Sequence, residues 1–211
     1  GGDGNDVLKS GDGNDFIYGD NGNDILILSG SGLQTFSGGE GIDTFKIDNS
    51  IWEVSLDPEF DQIIEINLTT GVSGQKNNPN LRDTLQTIEN IKYSGYTNVE
   101  MIGDDNNNVI RSAAGDDVIK AMGGNDFINS GRGFDLITTG TGSDIILLRP
   151  EQASYTLETT KTIIDFVNGE DLLALEGISF EDISIDQGTT DFSSHVILST
   201  TDSVGSISYL G

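Results

Sequence analysis

Apolar residues recur at every ninth position in two stretches of the chain, each time after a run of turn-forming residues. Residues 1–46 divide into the five nonapeptides GGDGNDVLK, SGDGNDFIY, GDNGNDILI, SGSGLQTFS and GGEGIDTFK, with Leu28 as one extra residue after the third. Residues 103–147 divide into GDDNNNVIR, SAAGDDVIK, AMGGNDFIN, SGRGFDLIT and TGTGSDIIL. Position eight of these ten units is occupied by Leu8, Ile17, Leu26, Phe36, Phe45, Ile110, Ile119, Ile128, Ile137 and Ile146.

Each nonapeptide predicts a turn followed by a short strand. The first six positions are rich in Gly, Asn and Asp, which tolerate the left-handed backbone of tight turns better than other residues do. The last three positions have the β-branched or aromatic bias that favours a strand. Because a three-residue strand buries little by itself, we expect the units to stack into a coil whose position-eight side chains form one internal column. With two units per coil, every second loop would lie on the same edge, next to its neighbour.

The remaining segments interrupt or follow these arrays, so the chain divides into 1–46, 47–102, 103–147 and 148–211. In residues 47–102 the alternation of apolar and polar residues predicts strands at 51–56 and 63–68. The Gly- and Asn-rich residues 71–80 predict an exposed loop, and residues 85–102 predict degenerate coils. Residues 163–175, IIDFVNGEDLLAL, predict a strand, an acidic turn and a second strand, and the last segment predicts a capping β-sheet over the end of the coil.

Acidic residues outnumber basic ones by 35 to 10, which gives a net charge of −25. Such a chain repels phosphate backbones, so nucleic-acid binding is not expected. Taken alone, this composition fits a solubilising acidic surface as well as a set of metal ligands. The chain has no cysteine, which excludes disulfides and thiolate metal sites. It also has no apolar run long enough to predict a membrane span.

The spacing of the acidic residues favours metal ligands. Position six is Asp in eight of the ten units, namely Asp6, Asp15, Asp24, Asp43, Asp117, Asp126, Asp135 and Asp144, and it is Gln34 and Asn108 in the other two. Stacked on one edge, these carboxylates would lie a strand spacing of ~4.8 Å apart and would repel each other without a counter-charge. Ca²⁺ takes ~6–8 oxygen ligands, which two carboxylates and the carbonyls of Gly-rich loops can supply. Zinc would require His or Cys, and the chain has one His.

These units resemble the RTX (repeats-in-toxin, hemolysin-type) nonapeptide GGxGxDxUx, a known Ca²⁺-binding repeat. The resemblance implies an all-β fold, a parallel β-roll (right-handed β-solenoid) in two repeat blocks with an inserted β segment and a C-terminal β cap. It also implies Ca²⁺ ions between successive loops of one edge. One loop gives the carbonyls of positions two and four, the next gives those of positions one and three, and both give the position-six side chain.

Carried onto this chain, the resemblance implies up to about six ions. In the first array the expected ligands are Gly2, Gly4 and Asp6 with Gly19, Asn21 and Asp24; Asp20, Gly22 and Asp24 with Gly38, Glu40 and Asp43; and Gly11, Gly13 and Asp15 with Ser29, Ser31 and Gln34. In the second array they are Asp104, Asn106 and Asn108 with Ala121, Gly123 and Asp126; Ala113, Gly115 and Asp117 with Ser130, Arg132 and Asp135; and Met122, Gly124 and Asp126 with Thr139, Thr141 and Asp144. Two further acidic groups fit either another ion or a solvated turn: Asp57, Glu59, Asp61 and Glu65, and Asp165, Glu170 and Asp171.

The resemblance implies a calcium-triggered folding module of a secreted, type I exported bacterial protein such as a toxin or an adhesin. The expected partners are therefore calcium ions and the type I secretion machinery, and the expected location is outside the cell or on its surface. Two alternatives stay open: an adhesin segment with its own surface-ligand site in residues 47–102, and the non-catalytic tail of a secreted hydrolase. No catalytic motif of the HExxH, GxSxG, P-loop or Rossmann type occurs, so we do not expect this segment to be an enzyme.

Overall fold

The computed structural model describes residues 1–48, 63–78, 80–149 and 161–176, together with the backbone of three later strands at 183–187, 195–200 and 206–210. All regular structure in these residues is β-strand. Across this described part of the chain there is no helix that could cross a membrane. The predicted strand 51–56 and the acidic residues 57–61 lie outside the described residues.

Two mainly parallel sheets face each other, and successive strands along the repeats alternate between them. The eight-stranded sheet contains β2 Val7–Lys9, β4 Ile25–Leu28, β6 Thr44–Ile47, β10 Asn90–Tyr93, β12 Val109–Arg111, β14 Phe127–Asn129, β16 Ile145–Leu148 and β18 Leu172–Leu175. The thirteen-stranded sheet contains β1 Gly2–Asp3, β3 Phe16–Asn21, β5 Thr35–Glu40, β7 Ile64–Asn67, β8 Val72–Gln75, β9 Arg82–Gln86, β11 Val99–Ile102, β13 Val118–Lys120, β15 Leu136–Thr138, β17 Thr162–Ile163, β19 Ile183–Gln187, β20 His195–Thr200 and β21 Ser206–Leu210. The chain is thus a parallel β-roll, as the repeats predicted.

The position-eight side chains form the core of the roll. In the eight-stranded sheet they pair in register, as Leu8 with Leu26, Leu26 with Phe45, and Ile110 with Ile128. All position-eight residues from Leu26 to Ile146 are fully buried, and the Phe36 and Phe45 rings meet edge to face with centroids 5.0 Å apart. Burying one such aliphatic or aromatic side chain contributes about 1.5–3 kcal/mol, so the column rather than any single strand stabilises the coil.

The turns depend on left-handed backbone at positions two and four, where most of the repeats have Gly. Two of these positions carry a side chain instead, Asp20 with φ of 73° and Met122 with φ of 83°. A left-handed backbone costs a residue with a Cβ atom roughly 1–2 kcal/mol. The backbone of both turns is therefore strained at these two residues.

The inserted segment widens one sheet only. The eight-stranded sheet passes directly from β6 to β10 and on to β12, all parallel. In the thirteen-stranded sheet the order is β5, β9, β8, β7 and β11, in which β8 is antiparallel to both of its neighbours. The two arrays are therefore joined through one continuous sheet, while a three-stranded meander separates them in the other.

Residues 71–80 are not simply the exposed loop that their sequence predicted, because residues 72–75 form β8, the middle strand of this meander. Ser73 is fully buried there. The predicted strand 63–68 is present as β7, and residues 85–102 supply coil strands, as predicted.

The last described coil consists of β17 and β18, which lie on either side of the acidic turn expected within residues 163–175. Beyond it, β21 pairs parallel to β17, and β20 and β19 follow in antiparallel pairing. These strands extend the thirteen-stranded sheet at its end. The division of the chain into four domains stays a prediction.

Candidate metal sites along the loop edges

The loops lie along two edges of the roll. Edge one consists of the loops that precede strands of the eight-stranded sheet, namely 1–6, 19–24, 38–43, 87–89, 103–108, 121–126, 139–144 and 166–171. Edge two consists of the loops that precede strands of the thirteen-stranded sheet, among them 10–15, 29–34, 112–117 and 130–135.

All six pairs of loops predicted to share an ion are neighbours joined by main-chain hydrogen bonds. These run from Gly4 N to Asn21 O (2.8 Å), Gly22 N to Glu40 O (2.8 Å), Gly13 N to Ser31 O (2.7 Å), Gly123 N to Asp104 O (3.2 Å), Gly115 N to Arg132 O (3.1 Å) and Thr141 N to Met122 O (2.8 Å). Several carbonyls named as ligands thus already accept one hydrogen bond. Since a carbonyl oxygen has two lone pairs, such a bond leaves one free to meet a cation.

Position six forms a ladder along each edge. The main-chain N–H of one position-six residue donates to the side-chain Oδ1 of the next, from Asp6 to Asp24 (2.7 Å), from Asp24 to Asp43 (2.8 Å) and from Asp126 to Asp144 (2.8 Å). The same bond runs from Asp117 N to Asp135 Oδ1 (3.0 Å) on edge two. One oxygen of each such carboxylate is therefore fixed by the backbone, and this fixes the direction of the other.

In six of the position-six carboxylates, the second oxygen is buried without a hydrogen-bond partner. Among the residues that the structure describes, the Oδ2 atoms without a hydrogen-bond donor are those of Asp6, Asp24, Asp43, Asp117, Asp126 and Asp144. All of these residues except Asp6 are at most 2% exposed. An unpaired buried carboxylate oxygen is costly, and a cation is what would relieve it.

Burial and the negative charges of neighbouring carboxylates raise the pKa of two of these position-six residues. Burial, reinforced by the Asp135 carboxylate, raises the pKa of Asp117 to about 7. Burial, reinforced by Asp144 and Asp104, raises the pKa of Asp126 to about 7. Without a counter-ion, the fold therefore disfavours ionisation of the groups that stack along its edges.

The unpartnered oxygens converge with carbonyls of the next loop. A Cβ atom added to Gly19 would lie 2.2 Å from Asp24 Oδ2 and 2.4 Å from Gly38 O, and one added to Gly1 would lie 2.5 Å from both Asp6 Oδ2 and Gly19 O. The position-one carbonyl and the position-six carboxylate thus face the same space, as a Ca²⁺ site of carboxylates and carbonyls requires. No group of three or more His, Cys, Asp or Glu side chains suited to a metal forms among the described residues, so any such site uses two carboxylates and main-chain oxygens. The residues present fit Ca²⁺, which would supply the missing positive charge.

In the two repeats whose position six is an amide, the side-chain nitrogen of that residue donates to oxygens of its own loop and of a neighbouring loop. Gln34 Nε2 donates to Gly13 O (2.7 Å) and to Ser31 O (3.3 Å), two of the carbonyls expected to bind the third ion of the first array. Asn108 Nδ2 donates to Glu89 O (2.7 Å) and to Asp104 Oδ1 (3.0 Å). These amides satisfy the oxygens without any added charge.

Lys161 is a third residue that replaces Asp at position six, and the sequence analysis did not predict it. The pairing of β15 with β17 aligns Leu136 with Thr162, so Lys161 stands at position six of the coil after Asp135. Its ammonium group forms an ion pair with Asp135 Oδ2 and donates to Gly133 O (3.0 Å). Because Asp135 is fully buried, this lysine supplies the counter-charge there.

Two further acidic side chains join edge one at position six. Glu89 Oε2 accepts the Asp43 N–H (2.7 Å), and Asp171 Oδ1 accepts the Asp144 N–H (3.1 Å). Residues 166–174, FVNGEDLLA, are a divergent nonapeptide with Asp171 at position six and Leu173 at position eight, a signal that was present in the sequence. Glu89 follows a turn too short for the nonapeptide pattern to reveal it.

The other open acidic residues make structural contacts. Asp165 accepts hydrogen bonds from Thr139 N (2.7 Å) and Gly140 N (2.8 Å), and Glu65 forms an ion pair with Arg82 (2.8 Å). The sequence analysis also missed a second ladder at position five, where each side-chain oxygen accepts the N–H of the next loop. It includes Asn5 to Asn23 (2.8 Å), Asn107 to Asn125 (2.7 Å) and Asp116 to Phe134 (2.9 Å).

Comparison with known proteins agrees with this geometry. A family model described as the RTX calcium-binding nonapeptide repeat matches residues 1–32, 102–137 and 122–147. No curated protein matches the chain. Among solved structures, the extracellular lipase LipA from Serratia marcescens is similar over 100% of this chain and 37% of its own, with 16% identity and a TM-score of 0.33. This chain therefore spans little more than a third of the length of that lipase. The chain carries RTX calcium-binding nonapeptide repeats in both of its arrays.

Proposed function

We propose that this chain is a calcium-triggered folding module of an exported protein. The observation that carries the proposal is the set of buried position-six carboxylates whose second oxygens have no partner. Without a cation, folding buries these charges against one another; with Ca²⁺ between the loops, the same contacts become favourable. Metal binding and folding are then one free-energy event.

The proposal also explains the acidic composition of the chain. At low calcium the chain, with a net charge of −25, would resist compaction and stay suited to passage through a type I exporter. At the higher calcium concentration outside the cell the roll would form. Each site filled at tenfold excess over its Kd adds about 1.4 kcal/mol, so several coupled sites give a steep transition. The parent protein would be a toxin, an adhesin or a secreted hydrolase, with this segment as its non-catalytic part.

Calcium titration followed by circular dichroism tests the proposal. We expect the β signal and the melting temperature to rise steeply with Ca²⁺, to fall on addition of EGTA, and to respond weakly to Mg²⁺. A matched pair of variants separates ligand from surface charge. Asp126→Asn keeps an acceptor for the Asn108 N–H and should raise the calcium midpoint, whereas Asp116→Asn keeps the bond from Phe134 N and should not. An unchanged spectrum and melting temperature in EGTA would contradict the proposal.

A second candidate function is binding of an anionic surface ligand. A groove of about 500 Å³ is lined in part by Lys92, Arg111 and Arg149, and also by Glu176, which forms an ion pair with Arg149. Arg111 lies over the Phe127 ring, 5.5 Å from its centroid. Basic side chains beside an aromatic ring suit an acidic glycan. An array of acidic glycans probed in saturating Ca²⁺ should give hits that Arg111→Glu abolishes, and no hits with the unaltered chain would reject this function.

A further inference from the structure

The loop 87–89 departs from the nonapeptide pattern but enters the edge-one column between the two arrays. The pairing of β10 with β6 aligns Asn90 with Thr44 and Ile91 with Phe45, which are positions seven and eight of the fifth repeat. Glu89 therefore stands opposite Asp43, where the next position-six carboxylate belongs. Only three residues, Thr87 to Glu89, replace the usual six-residue turn.

The contacts at this loop reproduce those of the regular repeats. The Asp43 N–H donates to Glu89 Oε2 (2.7 Å), the same bond that joins Asp24 to Asp43. Asp43 is fully buried, and its Oδ2 has no partner. A Cβ atom added to Gly38 would lie 2.3 Å from Asp43 Oδ2 and 2.1 Å from Thr87 O. The Thr87 carbonyl thus takes the place that the position-one carbonyl has in the regular sites.

The backbone conformation and the charges at this loop also favour a bound cation. Thr87 has a φ of 47°, in the left-handed region that a β-branched residue rarely adopts, and its Oγ1 accepts the Gly39 N–H (2.9 Å). Glu89 also lies within electrostatic reach of Asp43 and Asp104. Among the described residues, no Lys or Arg forms an ion pair with Asp43 or Glu89. The strained turn holds a carbonyl beside two carboxylates that have no basic partner.

We propose that Asp43, Glu89 and the Thr87 carbonyl hold a further Ca²⁺ ion, between the two repeat arrays. Two carboxylates and a carbonyl form a hard oxygen site that favours Ca²⁺ over Mg²⁺, which demands a tighter octahedron. This site rests on the proposed function. The site would extend the row of calcium sites along edge one across the inserted segment. The two arrays would then fold as one unit linked by calcium.

Counting bound ions by native mass spectrometry of the whole chain in saturating Ca²⁺ tests the site. Glu89→Gln keeps an oxygen to accept the Asp43 N–H and should bind one ion fewer than the unaltered chain. Glu89→Asp keeps the charge and should retain the ion, and the exposed Glu176, paired with Arg149, gives the control Glu176→Gln with an unchanged count. An unchanged count for Glu89→Gln overturns this inference alone, whereas an unaltered chain that binds no ion overturns the proposed function.

If Glu89→Gln does not fold, counting the ions bound by two other variants tests the site. Asp43 would serve two ions, one shared with Asp24 and one with Glu89, whereas Asp6 at the start of the column serves one. Asp43→Asn should therefore lose two ions and Asp6→Asn should lose one. Loss of a single ion from both variants would exclude the site at Glu89.

Discussion

Replacing Gln34 with Asp should create a calcium site on edge two. Gln34 stands at position six, and its Nε2 donates to Gly13 O (2.7 Å) and Ser31 O (3.3 Å), two of the carbonyls that the resemblance to the RTX repeat implies as ligands there. In Gln34→Asp those carbonyls lose their donor and a carboxylate joins that of Asp15. The loop then has the composition of the regular sites, and we expect one more bound Ca²⁺ than in the unaltered chain.

The size of the effect on the free energy of unfolding depends on calcium, which offsets most or all of the loss that the variant suffers without it. Without calcium, the variant loses two hydrogen bonds at about 1 kcal/mol each and gains a buried like charge, so unfolding should become easier by roughly 2–4 kcal/mol. With the new site at a hundredfold excess of Ca²⁺ over its Kd, binding restores about 2.7 kcal/mol. The calcium dependence of the unfolding free energy should therefore be steeper by that amount.

Urea unfolding in EGTA and in saturating Ca²⁺, together with native mass spectrometry, measures both parts of this prediction. Gln34→Asn is the matched control, because a shorter amide loses the same contacts without adding a charge. It should be destabilised in both buffers and bind no additional ion. If Gln34→Asp binds no more calcium than Gln34→Asn, the Gln34 amide does not stand in the place of a cation, and the interpretation of position six as the calcium ligand weakens with it.

Three further predictions concern strain, a buried ion pair and pH. Met122→Gly should raise the free energy of unfolding by about 0.5–1 kcal/mol in urea titrations, because relief of a left-handed backbone outweighs the flexibility that Gly adds; no gain would mean that the turn is not strained. Lys161→Met should lower it by about 3 kcal/mol, because the fully buried Asp135 loses its ion pair, and Lys161→Arg should recover part of that loss. Burial raises the pKa of Asp83 from 3.8 to about 6, so the folded state binds more protons than the unfolded state between these values and stability falls as pH rises through them. Asp83→Asn should therefore match the unaltered chain below pH ~4 and exceed it by up to about 3 kcal/mol above pH ~7, and a constant difference at all pH values would contradict this.

The period of nine was sufficient to predict a stacked coil, its internal apolar column and the two edges that carry the carboxylates, and the resemblance to the RTX repeat implied the parallel β-roll. A strictly repeated apolar position can be buried in only one way when the strands are short and stacked, so Ile110, Ile119 and Ile128 followed from spacing alone. The pairing of loops followed from the same argument, since position six recurs with position eight. These features depend on residues at fixed spacing within each repeat, so they can be predicted directly from the sequence.

The insertion and the exceptions were harder to predict because they depend on pairing between distant residues. Residues 71–80 have the Gly and Asn content of a loop, but hydrogen bonds from β7 and β9 make a strand of residues 72–75. Glu89 and Lys161 reach position six only through the register of β10 on β6 and of β17 on β15. Such a register cannot be predicted from residue spacing when the turn before the strand is shortened or changed.

The two edges differ in how they satisfy their oxygens, and this difference indicates where calcium matters most. On edge one, position one is Gly in four loops, at Gly1, Gly19, Gly38 and Gly103. The Gly19 and Gly38 carbonyls face the unpartnered oxygens of Asp6 and Asp24. On edge two, position one is Ser, and its hydroxyl donates to the next carbonyl, from Ser10 to Ser29 O (2.7 Å) and from Ser112 to Ser130 O (2.5 Å). Edge two also contains the amide of Gln34 and the ammonium of Lys161, so it supplies much of its own neutralisation. Because donors supplied by the chain are present at any calcium concentration, edge two can hold much of its structure without the ion. If folding depends on calcium as proposed, we expect that dependence to rest mainly on edge one, because five of the six unpartnered carboxylate oxygens found among the described residues lie there.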